Sequence, residues 1–90
     1  MGTIDFHIYM PKVFEWKGHR FHFFSNEGYP LEALHIHVRK GPNRAKFWIH
    51  PYVNLEYNHG FSSKELNEFR KVIEENSVLI KEKWNEHFNL

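Results

Sequence analysis

The residues best suited to chemistry in this sequence are two histidines, His35 and His37, separated by one isoleucine. On a β-strand, residues two apart point to the same face, and their side chains begin about 6 to 7 Å from each other. Two imidazoles at that spacing can meet one ligand. Three functional uses follow: acid–base catalysis, metal binding, or binding of nucleic acid or protein without a reaction. A pair of solvated imidazoles with no function is the fourth interpretation.

In the catalytic interpretation, His35 and His37 are the candidate catalytic residues, one as general base and the other as general acid in phosphodiester cleavage. Arg39 or Lys46 would stabilise the negative charge of the transition state. This chemistry needs no cofactor, so the leading enzymatic hypothesis is a metal-independent, ribonuclease-like activity. The residues alone do not decide between this hypothesis and the other three.

In the metal-binding interpretation, His22 joins His35 and His37 as a third imidazole ligand, and His50 is a further candidate. The three strands that carry these histidines contain no Asp or Glu, so a carboxylate ligand would have to come from a loop. The chain has no cysteine and therefore no thiolate site.

In the binding interpretation, an exposed aromatic ring stacks on bases while cationic side chains meet phosphates. Phe24 and Trp48 are candidates for the stacking ring. The predicted substrate-binding residues are Arg20, His22, Arg39, Lys46 and Trp48.

Strand periodicity indicates which elements hold these residues. Residues 12–26 predict a hairpin that turns at Lys17-Gly18, and residues 35–40 and 45–50 predict two further strands. Alternation gives one apolar face, consisting of Phe21, Phe23, Ile36, Val38, Phe47 and Ile49. The opposite face then carries Arg20, His22, Phe24, His35, His37, Arg39, Lys46, Trp48 and His50.

A helical period follows the strands. Ser62 and Glu65 form a capping-box pattern, after which apolar residues recur every three or four positions to Phe88. Asn76-Ser77 interrupts that stripe, so one long helix and two shorter ones are both compatible with it. Residues 51–60 give a weak and irregular signal. The predicted fold is α+β, an antiparallel sheet of about four strands packed on one face by a C-terminal helix or helix pair.

Composition sets the limits on organisation and partners. Ninety residues, 41% of them hydrophobic, predict a single domain at 10–90, with residues 1–9 as an extension or edge strand. The absence of cysteine, of a signal peptide and of a long apolar run predicts a cytoplasmic protein that does not engage membranes. A net charge of +1 means that any RNA binding must come from a local basic patch. Oligomeric state is not encoded in these features.

Several ordered segments resemble one family. MPKVFEWKGHRFHFFSNEG, LHIHVRKG, AKFWIHP, GFSSKEL and IEEN with KWNEHF are similar, in this order, to the small prokaryotic proteins grouped as domain of unknown function 4160. Family members usually have prolines ahead of the histidine pair, where this chain has Ala33 and Leu34. The resemblance implies a domain that starts near Met10. It also implies a neighbouring gene for a small partner protein of domain of unknown function 2442, an arrangement similar to toxin–antitoxin pairs. The chain would then be one component of a two-protein module, with the toxin as one candidate role, and would act on RNA or on that partner.

Overall fold

The computed structural model describes residues 11–25 and 31–90. Within them lies one antiparallel sheet in the order β1-β2-β3-β4-β5, followed by two helices. The elements are β1 Lys12–Trp16, β2 His19–His22, β3 His35–Lys40, β4 Asn43–Trp48, β5 Asn54–His59, α1 Ser63–Glu75 and α2 Ser77–His87. The predicted α+β class is confirmed. The predicted extension at residues 1–9 and the domain start at Met10 lie outside the described residues.

Two tight turns connect the strands that carry the site. Lys17 and Gly18 both have positive φ, 49° and 77°, as a two-residue type I′ turn requires, and they close the predicted hairpin of β1 and β2. Gly41, at φ 56°, precedes Pro42 in the turn between β3 and β4. Glycine in the first central position and proline in the second suit a type II′ turn. This turn fixes the register in which Arg39 faces Arg44.

The strand count is the one part of the fold prediction that is wrong: the sheet has five strands, not four. Residues 54–59 form β5, an edge strand antiparallel to β4. Its polar residues and the preceding Pro51 conceal the strand in the sequence. A bulge between Lys46 and Phe47 in the β4–β5 pairing further breaks the alternation on which a strand prediction depends.

Two helices, not one, follow the sheet. The capping box is formed: the Glu65 amide donates to Ser62 Oγ at 3.1 Å, and the Ser62 amide donates to Glu65 Oε1 at 2.8 Å. At Asn76 the backbone leaves helical geometry, with φ −109° and ψ 16°, and the Asn76 side-chain amide donates to the Val72 carbonyl at 2.8 Å. This hydrogen bond satisfies a backbone carbonyl in the last turn of α1, at the point where the two helices separate.

The helices cover the predicted apolar face of the sheet, here called the core face. All six residues assigned to it by alternation are buried. Phe69 of α1 packs edge-on against Phe21, with ring centroids 5.9 Å apart, and Trp84 of α2 packs edge-on against Phe23 at 5.1 Å. The opposite side, here called the outward face, carries the candidate residues for function.

Candidate functional site

Sheet register aligns three arginines across the outward face. Arg20 of β2 faces Arg39 of β3, and Arg39 faces Arg44 of β4. We call these three residues the arginine row. Side chains directly opposite each other on neighbouring antiparallel strands begin about 5 Å apart, and like charges in such positions destabilise a sheet. Glu15 of β1 faces Arg20 from its other side. Three aligned guanidiniums form a local basic patch, and such a patch attracts anions.

A second row lies beside the first, two residues away from it on each strand. His22 faces His37, and His37 faces Lys46, which in turn faces Tyr57 of β5. The rings of His22 and His37 are stacked, with centroids 5.4 Å apart and planes inclined by 21°. Phe24 sits edge-on to both rings, at 5.0 Å and 4.4 Å. Both histidines are consequently buried, with 2% and 5% of their surfaces exposed.

The two rows enclose a cavity of about 300 Å³, here called the histidine pocket. Its walls come from the second strand, from both strands of the β3–β4 hairpin with their turn, and from β5. Among the described residues that line the pocket, five have side chains that can form hydrogen bonds, and none is a carboxylate. All of the described lining residues are His22, Phe24, His37, Arg39, Gly41, Pro42, Arg44 and Tyr57.

Burial is the main cause that lowers the pKa of His22 from 6.5 to about 4, and charge repulsion from the neighbouring His37, Arg20 and Arg39 contributes to the same shift. The Phe23 carbonyl opposes this shift by accepting from Nδ1 of His22 at 3.1 Å. That hydrogen bond places the proton of the neutral ring on Nδ1 and leaves Nε2 as the basic nitrogen. At neutral pH, His22 is therefore an uncharged and only weakly basic imidazole.

Tyr57 provides the hydroxyl of the site. Its oxygen lies 3.5 Å from Nδ1 of His37, at the long limit of a hydrogen bond. The half-buried phenol thus extends the line of polar groups from β2 to β5.

The other end of the outward face, here called the tryptophan end, consists of His35, Lys46 and Trp48. The Lys46 ammonium lies 4.3 Å above the ring of Trp48 and donates to Glu32 Oε1 at 3.1 Å. The indole N–H of Trp48 donates to Glu56 Oε1 at 2.6 Å. Two carboxylates therefore hold Lys46 and Trp48, the cation and the ring that the sequence assigned to substrate.

His35 is embedded in this end. None of its surface is exposed, and its ring packs against Trp48 at 5.4 Å and against Trp84 of α2 at 5.1 Å. Nδ1 of His35 donates to the Ala33 carbonyl at 2.8 Å. His35 is not among the residues that line the histidine pocket. Its surroundings are those of a structural histidine, in contrast to those of His37.

The structure thus divides the predicted site residues. Of these, His22, His37 and Arg39 line one cavity, and Arg20 adjoins them in register. The interpretation of the pair as solvated imidazoles is wrong, since both members are buried. His50 is exposed and lies beyond the end of β4.

Two polar side chains that line the pocket, Arg44 and Tyr57, were absent from the predicted site. Arg44 precedes the predicted start of the fourth strand by one residue, although it continues the same alternation as Lys46 and Trp48. Extending that strand back to the Gly41-Pro42 turn would have found it. Tyr57 belongs to the strand that the sequence conceals, and no pattern in the sequence indicates it.

The metal-binding interpretation gains no support from the geometry. Across residues 11–25 and 31–90, no three side chains of His, Asp or Glu are grouped so as to hold a metal ion. The near-parallel rings of His22 and His37 explain this in part, because the lone pairs of stacked imidazoles run side by side and do not converge.

Comparisons with known proteins give one match. The model of the family described as domain of unknown function (DUF4160) matches residues 18–85. No curated protein and no solved structure matches the chain. Neither α1 nor α2 is long and apolar enough to cross a membrane.

Proposed function

The chain belongs to the DUF4160 family, and from that premise we propose that it binds RNA through the histidine pocket and the arginine row, as a cytoplasmic component of a two-protein module. One observation carries the proposal: three arginines are aligned across adjacent strands beside a cavity lined by two imidazoles and two aromatic rings. Guanidiniums contact phosphates in pairs of hydrogen bonds, and aromatic rings and imidazoles contact bases.

Although the net charge of the chain is only +1, the basic residues at the pocket lie close together. Acidic residues balance the basic ones over the whole chain, but the described lining of the pocket holds Arg39 and Arg44 and no carboxylate. Helix α1, by contrast, pairs Arg70 with Glu74 at 3.9 Å. Two guanidiniums therefore lie among the described residues that line the cavity, and RNA binding through such groups depends steeply on salt.

The binding test uses a fluorescent single-stranded RNA and measures anisotropy over a range of salt concentrations. Replacing Arg44 with Ala is expected to weaken binding several-fold and to reduce the slope of log affinity against log salt by about 1, because one phosphate contact is lost. Arg70→Ala is the matched control, since it removes the same charge from α1. Equal weakening by both substitutions would show that net charge, and not the pocket, attracts RNA.

The family resemblance supports the two-protein part of the proposal through the gene that commonly lies beside its members. Expression of the chain alone is expected to slow growth, and co-expression of the neighbouring protein is expected to restore it. The two proteins should also co-purify. Normal growth under strong expression, together with intact cellular RNA, would remove the toxin assignment and leave RNA binding to be judged by anisotropy.

Metal-independent RNA cleavage is a second candidate, favoured by the stacked imidazoles of His22 and His37, which both line the cavity. Nε2 of His22 would take the proton of a ribose 2′-hydroxyl, whose oxygen attacks the adjacent phosphorus. The bond to the 5′-oxygen breaks, an acid protonates that oxygen, and a 2′,3′-cyclic phosphate remains. His37, which neighbours His22, is proposed as this acid, in keeping with its predicted catalytic role. Because His35 is packed among other side chains, we propose His22 and not His35 as the general base that acts with His37.

Cleavage is tested with excess EDTA and an RNA that carries one 2′-deoxy position. His22→Gln and His37→Gln should each abolish cleavage while RNA binding persists, and the 2′-deoxy linkage should stay intact. His35→Gln separates the two histidine assignments: loss of cleavage in that variant, with fold and binding intact, would restore the pair that the sequence predicts. An unchanged rate in His37→Gln would eliminate the catalytic candidate.

A further inference from the structure

The shape of the histidine pocket restricts the kind of RNA that can enter it. A cavity of about 300 Å³ is at the small end of sites for small molecules, so it admits a group the size of one nucleotide. Base pairs inside a duplex are stacked on their neighbours and cannot enter such a cavity. A duplex could meet the arginine row only by its phosphates.

The walls of the pocket suit an unstacked base. Phe24 and Tyr57 provide aromatic surface on opposite sides of His37, with ring centroids 4.4 Å and 6.5 Å from the imidazole. Both rings are only half-buried, so part of each is accessible to a ligand. Aromatic surfaces of this kind bind bases that have left a helical stack, and polar groups beside them contact the base edges.

The turn between β3 and β4 leaves room at the mouth of the pocket. A Cβ built on Gly41 would meet no atom within 4 Å, so open space lies beside the backbone between Arg39 and Arg44. Arg39 Nε donates to the Gly41 carbonyl at 3.4 Å, which holds its guanidinium beside this turn. Phosphate contacts at the rim, chiefly from the exposed Arg44, would hold the RNA backbone while the base reaches inward to the rings. The charged rim would contact the RNA phosphates, and the aromatic interior would contact the base.

From this geometry we infer that the pocket receives a single unpaired nucleotide, and that the protein binds single-stranded RNA in preference to duplex RNA. The inference rests on the proposed RNA binding and narrows it to one substrate class. Duplexes keep the phosphate contacts and lose those of the base, whereas single strands keep both.

The test is a competition assay with a labelled 12-nucleotide single-stranded RNA. The competitors are the same unlabelled strand, that strand annealed to its complement, and a strand of equal length with abasic positions. We expect the single strand to compete at least tenfold better than either of the others. Equal competition by the duplex would overturn the inference while RNA binding stands. Failure of all three competitors, with no binding of the labelled strand, would overturn the proposed function itself.

A pair of variants separates base contacts from phosphate contacts. Phe24→Ala should weaken single-strand binding by about tenfold and leave duplex binding unchanged, because it removes a ring and no charge. Arg44→Ala should weaken both. Phe24→Leu, which keeps most of the packing against His22 and His37, shows by its melting temperature and affinity whether a loss in Phe24→Ala comes from the fold. If Phe24→Ala weakens both forms of RNA equally, no base enters the pocket.

Discussion

The two ends of the outward face contain the same kinds of side chain in different surroundings. At the histidine pocket, Arg39 and Arg44 face each other across β3 and β4 beside two buried imidazoles. At the tryptophan end, Lys46 lies against Trp48 and Glu32, and His35 is packed between two indoles. One end places two guanidiniums beside a cavity, and the other pairs its ammonium with a carboxylate and fills its space with aromatic rings.

This difference shows that residue type and strand position do not determine the role of a histidine. His35 and His37 share one strand and one face, yet the ring of Trp84 in α2 packs against His35, 5.1 Å from its centroid. A helix on the core side thereby decides that the first histidine is structural. The second borders a cavity and remains available for function.

The largest expected effect comes from removing the ring at the tryptophan end. Replacing His35 with Ala should lower the free energy of unfolding by about 2 to 4 kcal/mol, since a fully buried ring leaves a cavity and the Ala33 carbonyl loses its donor. His37→Ala should cost less stability, because that ring already borders a cavity. Urea denaturation of both variants measures the difference. If His35→Ala is as stable as the wild type and has lost RNA binding, His35 is a functional residue and its assignment as a structural histidine is wrong.

The pH dependence of stability gives a second test, on the histidine pocket. The folded pKa of His22, about 4, lies below the 6.5 of an ordinary imidazole. Between these two values the unfolded chain binds a proton that the folded chain excludes, so stability falls as the pH drops through this window. His37, Arg20 and Arg39 face the ring and oppose its protonation. The contribution is at most about 3 kcal/mol, and solvent in the pocket reduces it.

Comparing His22→Gln with the wild type isolates this contribution, because the remaining titrating groups are common to both proteins. Urea denaturation at pH 7 and at about pH 4.5 should show a smaller loss of stability on acidification in the variant. Equal losses in the two proteins would mean that the ring of His22 is protonated without cost, and that the pocket is not the neutral environment described above.

The predictability of the site follows from the same contrast. Strict alternation in β2, β3 and β4 is enough to assign the outward face, because no bulge interrupts the β2–β3 or β3–β4 pairing. The capping box likewise places the start of α1 at the correct residue. Local patterns of this kind are visible in a sequence because they depend only on near neighbours.

Contacts between distant elements account for what the sequence could not give. The burial of His35 depends on Trp84, and the indole N–H of Trp48 is occupied by a hydrogen bond to Glu56 in β5. Strand β5 has no clear period, so neither Glu56 nor Tyr57 could be placed beside the face from sequence alone. The sequence therefore predicts which residues share the face, while tertiary contacts decide which of them line a cavity.

The smallest expected effect comes from removing a carboxylate at the tryptophan end, so that its cation, Lys46, loses its ion-pair partner. Glu32→Gln removes the carboxylate that holds Lys46 and should change stability by less than about 1 kcal/mol, because Glu32 is exposed. The released ammonium adds a cation to the outward face, so RNA affinity should rise two- to threefold and its salt slope should steepen by up to about 1. Glu74→Gln on α1 changes net charge equally and is the control. An equal gain in the control would attribute the effect to global charge, whereas a loss of affinity in Glu32→Gln would mean that the neutralised end also contacts RNA.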